Sequence, residues 1–109
     1  MRQVAKVENH SEIKRLMLYT CEDGVYLFGF DSDNDAPSKF DYLQDNIDEV
    51  YEISKDDYGV EIDAWIQIDN PMEYCQHDRI EPVRVVGINL GSPQWGRLEQ
   101  LVEGKWVSV

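Results

Sequence analysis

Apolar and polar residues alternate through much of this chain with the period of two that marks half-buried strands. Val4 to Glu8 alternates weakly and predicts a first strand. The run from Ile13 to Cys21 fits two periods, because Ile13, Leu16 and Met17 share a helix face whereas Met17, Tyr19 and Cys21 share a strand face. Its sequel decides between them. Asp23-Gly24 is a hairpin signal and Val25-Tyr26-Leu27-Phe28-Gly29-Phe30 is rich in β-formers, so Leu16 to Cys21 and Val25 to Phe30 are read as paired strands. Both faces of the second strand are apolar, which predicts an interior place in its sheet.

The period changes once. After an acidic loop, Asp31 to Pro37, and a short extended segment, Lys39 to Leu43, the residues Ile47, Val50, Tyr51, Ser54 and Tyr58 recur at helical spacing. Asn46 with Glu49 three residues on forms a variant capping box, and Gly59 stands where a left-handed residue ends a helix. The main helix is therefore expected at about 46–58. Beyond it, Ala64 to Ile68 reads as a strand closed by Asp69-Asn70-Pro71. Ile80 to Ile88 alternates around Pro82, which has no N–H to give to a ladder and so implies an edge. A loop from Leu90 to Gly96 follows, then Leu98 to Val102 and Lys105 to Val109 flank the turn pair Glu103-Gly104.

Strands, one helix and strands again, without a βαβ rhythm, predict an α+β fold: a largely antiparallel sheet of about five or six strands with one helix on one face. A length of 109 residues and the lack of a linker or repeat predict a single domain spanning 1–109. With 42% hydrophobic and 11% aromatic residues the chain has the means to fill a core. The first residues lack a long apolar core and a small-residue cleavage site, and no window approaches membrane-spanning length, so the expected location is the cytoplasm. Cys21 and Cys75 are then expected to be thiols.

Charge sharpens this picture. The formal net charge is −12, and the stretch from Glu22 to Asp63 alone carries fourteen acids against Lys39 and Lys55, a net of −12. The remaining eight acids balance the remaining eight bases. Such a stretch repels nucleic acid and anionic membranes and attracts a basic protein. Part of it is structural, because acids early in a helix complement its dipole.

Few residues offer chemistry. Asp31-Ser32-Asp33-Asn34-Asp35 spaces its carboxylates like the first half of a calcium loop, but Ala36 stands where the tight turn needs glycine and Tyr42 where a bidentate glutamate belongs. A solvated acidic loop is the expectation. Cys75-Gln76-His77-Asp78 gathers a thiol, an imidazole and a carboxylate; in an extended chain Cys75 and His77 would share a side, yet with Cα atoms roughly 7 Å apart. Only His10 and Cys21 remain as nitrogen or sulfur donors, without metal-ligand spacing, so neither a zinc site nor a nucleophilic pair is expected. Cys21, followed by Glu22 and Asp23, is disfavoured as a thiolate and is expected in the core. Trp65 is also expected in the core, Trp106 faces either way in the last strand, and Trp95, bracketed by Pro93 and Gly96, either closes the core or stands exposed as an interface anchor.

Three functions compete. The first is a non-enzymatic interaction module, of inhibitor or immunity type, that docks on a basic partner through Asp45, Asp48, Glu49, Glu52, Asp56 and Trp95, with no cofactor or metal. Mimicry of duplex DNA by the helix alone fails on density: Asp45 to Asp57 holds six acids and one lysine, whereas a duplex carries about 12 charges over a comparable 20 Å. The alternative is a homo-oligomeric structural or regulatory protein whose charge serves solubility. The third, a metalloprotein or hydrolase centred on Cys75, His77 and Asp78, ranks last.

Overall fold

The computed structural model describes residues 1–109. The chain divides into two compact units, Met1–Asn70 and Pro71–Val109. The first contains β1 (Arg2–Lys6), β2 (Arg15–Cys21), β3 (Gly24–Phe30), β4 (Phe40–Gln44), α1 (Ile47–Tyr58), a 3-10 turn (Ile62–Ala64) and β5 (Ile66–Ile68). Its strands form one antiparallel sheet in the order β4-β3-β2-β1-β5. The fold class is α+β, as the patterning predicts.

The pleat assigns the faces. Leu16, Leu18, Val25 and Leu27 of β2 and β3 join Ala5 of β1, Val50 of α1, and Val60 and Trp65 beyond the helix in one buried cluster. Fully burying a leucine or valine contributes about 1.5–3 kcal/mol, so this cluster dominates the stability of the unit. The alternating residues Arg15, Met17, Phe28 and Phe30 are buried as well, which accounts for the doubly apolar β3. On that side the Arg15 guanidinium lies 4.4 Å from the centroid of Phe30.

The ends of α1 follow the sequence closely. Asn46 caps it, accepting from the Glu49 N–H, and Gly59 at φ 69° closes it with its N–H on Lys55. The β2–β3 hairpin is offset from expectation. Glu22-Asp23 form its two-residue loop, while Gly24 pairs with Cys21 at φ 137°, where a Cβ would meet the Gln44 carbonyl oxygen at 2.4 Å. Cys21, at the end of β2, is half-buried rather than in the core.

Pairing, not propensity, sets the other strand ends. β1 begins earlier than Val4, because Arg2 pairs with Tyr19 on one side and Ile68 on the other, and its Nε donates to the Asp69 carbonyl at 2.7 Å. It ends at Lys6, where Val7 bonds instead to the Lys14 carbonyl. The segment read as a strand from Ala64 shortens to Ile66–Ile68, since Ala64 belongs to the 3-10 turn and Trp65 is buried in the cluster.

The second unit holds β6 (Val83–Val85), a 3-10 turn (Ile88–Leu90), β7 (Leu98–Val102) and β8 (Lys105–Ser108) in the order β6-β7-β8. The strands thus divide between sheets of five and three. The expected strand at 80–88 keeps only three strand residues for two reasons. Pro82 cannot extend the ladder upstream, and Gly87 turns the chain away at φ 81°, where a Cβ would lie 2.3 Å from the Ser92 carbonyl oxygen. β6 is an edge, as Pro82 predicts. Glu103 and Gly104, both at positive φ, make the type I′ turn between β7 and β8. On this sheet the Arg84 Nε donates to Glu99 at 2.8 Å, and the guanidinium covers the Trp106 ring at 3.7 Å.

The second unit buries only Cys75, Val83 and Val85 among its apolar side chains. Spans below about 40 residues rarely fold without a disulfide or metal. We therefore expect the chain to unfold in one step, with tryptophan fluorescence and far-UV circular dichroism giving coincident urea transitions. Two resolved transitions would show two independent domains.

Candidate functional site

The acids belong overwhelmingly to the first unit. Met1–Asn70 holds seventeen acids against six bases, a net of −11, and Pro71–Val109 holds five against four, a net of −1. Asp45, Asp48, Glu52 and Asp56 are exposed on α1 and its approach. Asp48, Glu52 and Asp56 make no ion pair. Glu49 does something else: its carboxylate accepts from the Asp45 N–H at 3.2 Å while its own N–H donates to Asn46 Oδ1 at 3.0 Å. Those two bonds, one to the N-cap Asn46 and one from Asp45 just before it, leave it half-buried and committed to starting the helix. Trp95 stands 75% exposed in a loop of the second unit.

Beside the acids lies a cleft of about 680 Å³ that the sequence pattern does not announce. Three backbone hydrogen bonds shape it. Lys14 N–H donates to the Phe30 carbonyl at 2.8 Å and Lys39 N–H to the Gly29 carbonyl at 2.7 Å, so the acidic loop leaves and rejoins β3 at one place. Asp31 and Lys39 are thereby set side by side, Nζ to Oδ2 3.5 Å, with both side chains half or more exposed. In the β1–β2 loop, Val7 N–H holds the Lys14 carbonyl at 2.9 Å. There His10 Nδ1 accepts from the N–H groups of Glu12 and Ile13 at 3.1 and 3.0 Å. An imidazole accepting at Nδ1 carries its proton on Nε2 when neutral.

Aromatic rings build the wall. Phe40, opposite Gly29 across the β3–β4 ladder, lays its ring where a Cβ on Gly29 would come within 2.1 Å of it. The Tyr58 ring, at the end of α1, lies 6.1 Å from that of Phe40 and nearly parallel to it, and 5.1 Å from the His10 ring. Burial, then Tyr42 and Asp57, hold the Tyr58 phenol above its ordinary pKa, so it is neutral at physiological pH. Glu12 and Asp31 supply carboxylates to the cleft and Lys39 its one ammonium.

The acidic loop at 31–35 is anchored from below. Arg15 Nη1 donates to the Asp33 carbonyl at 3.2 Å. Burial lowers the Arg15 pKa, and the carboxylates of Asp35 and Asp33 oppose that shift. Ser32 accepts from the Asn34 N–H at 3.2 Å, a local turn typical of such loops.

Cys75-Gln76-His77-Asp78 is not extended, so the shared side expected of Cys75 and His77 does not arise from strand alternation. Cys75 sits in a turn with its N–H on the Met72 carbonyl at 3.0 Å, and the Gln76 N–H reaches the Val83 carbonyl at 2.7 Å. The thiol residue is 6% exposed, whereas His77 is exposed. Both line a shallow groove of about 280 Å³ with Tyr74, Ile88 and Trp95. No three or more His, Cys, Asp or Glu side chains gather in a group able to hold a metal ion, and no helix is long and apolar enough to cross a membrane.

Sequence reasoning missed the cleft because its residues come from the β1–β2 loop, the acidic loop, β4 and the last turn of α1. Gly29, set within a run of β-formers, was the one local sign of close approach. No family model, curated protein or solved structure matches this chain.

Proposed function

We propose that this chain is an intracellular protein-interaction module, of inhibitor or immunity type, whose acidic first unit docks on a basic protein partner. The supporting observation is the net −11 of Met1–Asn70 beside the −1 of the remainder, with Asp48, Glu52 and Asp56 exposed and unpaired on one helix. A one-signed field steers an oppositely charged partner and suppresses wrong ones. The same field disfavours nucleic acid and anionic lipid.

Affinity capture on the immobilised chain from native lysate, eluted with a salt gradient, tests this reading. Retained proteins should be basic and should leave as salt rises. Neutral or acidic proteins that resist salt would defeat it. One observation favours the homo-oligomer reading instead: β8 is a sheet edge, with Val107 47% and Val109 69% exposed. A mass above that of one chain, rising with concentration in light scattering, would support that reading.

A further inference from the structure

The cleft of the first unit has the chemistry of a cation socket. Phe40, itself stacked on Tyr42 at 4.8 Å, and Tyr58 line it with aromatic rings, whose quadrupole attracts cations, and Glu12 and Asp31 add carboxylates. The His10 ring lies against Tyr58 with its Nδ1 occupied by two backbone N–H groups. The lone base is Lys39, paired with Asp31 at 3.5 Å through side chains 62% and 50% exposed, a contact weak enough for a better cation to displace. We infer that this cleft takes the guanidinium of an arginine side chain presented by the basic partner.

Arginine rather than lysine is specified by shape. A planar guanidinium lies flat on an aromatic ring while its fork meets a carboxylate, whereas an ammonium is a hydrated point charge. The chain uses this arrangement internally: Arg84 covers Trp106 at 3.7 Å while its Nε donates to Glu99 at 2.8 Å. In the cleft, Phe40 and Tyr58 stand in for the indole, and Glu12 and Asp31 for Glu99. The inference rests on the acidic docking reading, and it adds which side chain anchors the partner.

The test is an NMR titration of the full chain with a blocked octapeptide of alternating glycine and arginine, and with its lysine, citrulline and glutamate counterparts. The arginine peptide should shift the ring signals of Phe40, Tyr58 and His10 saturably. Lysine should shift them less, and uncharged citrulline and glutamate should not. Glu12→Gln should weaken arginine binding about fivefold, and Lys39→Met, by removing the resident cation, should tighten it by a similar factor. Ring shifts with glutamate, or weaker arginine binding in Lys39→Met, would make this an anion site and overturn the inference. Equal shifts from lysine and arginine would remove the guanidinium preference. Shifts at the backbone amides of Asp48, Glu52 and Asp56 without ring shifts would leave the acidic docking face standing and eliminate the socket. Ring shifts alone would support the socket and eliminate the helix face.

Discussion

Replacing Asp48, Glu52 and Asp56 together by lysine should slow association with the basic partner by about one to two orders of magnitude at low salt. The three reversals take the first unit from a net of −11 to −5. All three side chains are exposed, and none holds an ion pair that the fold uses. Stopped-flow association measured across a salt series gives the readout. The wild-type rate should fall steeply with salt, because charges beyond a Debye length of about 8 Å at physiological ionic strength are screened. The variant should show a flatter slope, while dissociation changes less.

The choice of residues depends on the structure. Glu49 is left alone because it caps α1, and its loss would confound docking with helix stability. Glu73 and Glu103, exposed in the second unit, form the control set. Glu99 is excluded from it because it holds Arg84 over Trp106. Reversal at Asp48 removes an acid from the first turn of α1, at a cost of about 0.3–1 kcal/mol, so thermal melting accompanies the kinetics. Equal slowing by both sets would show that total charge alone matters, and an unchanged rate in the helix set would remove α1 as a docking surface.

The largest stability effect is expected from Leu18→Ala. Leu18 is fully buried in β2, the middle strand of the five, and faces Leu27 across the ladder. Deleting such a side chain costs about 2–5 kcal/mol, because the cavity closes only in part. Against a typical total of about 5–15 kcal/mol this is a large fraction. A loss near 3 kcal/mol corresponds to a fall in Tm of roughly 15 °C for a domain of this size. Leu43→Ala on the edge strand β4, where the side chain is 49% exposed, should change stability by less than about 0.5 kcal/mol. Urea unfolding followed by tryptophan fluorescence compares them, and similar midpoints for the two variants would contradict the placement of the core.

Local chemistry alone determined the features whose causes lie within a few residues. The helix is one: Asn46, Glu49 and Gly59 act on neighbouring backbone groups, so its limits are read directly from the chain. The β7–β8 hairpin is another, because Glu103-Gly104 satisfies a turn that needs two positive φ angles. The doubly apolar β3 and the concentration of charge are also local properties of the sequence. Strand ends were decided by partners instead. Arg2 becomes strand because Tyr19 and Ile68 flank it, and Ala64 does not because the chain turns there. β6 stops where it does because Gly87 packs on the Ser92 carbonyl, and the cleft exists because Gly29 makes room for the ring of Phe40. Those causes are contacts across turns and between separate segments, and only the tertiary structure brings them together.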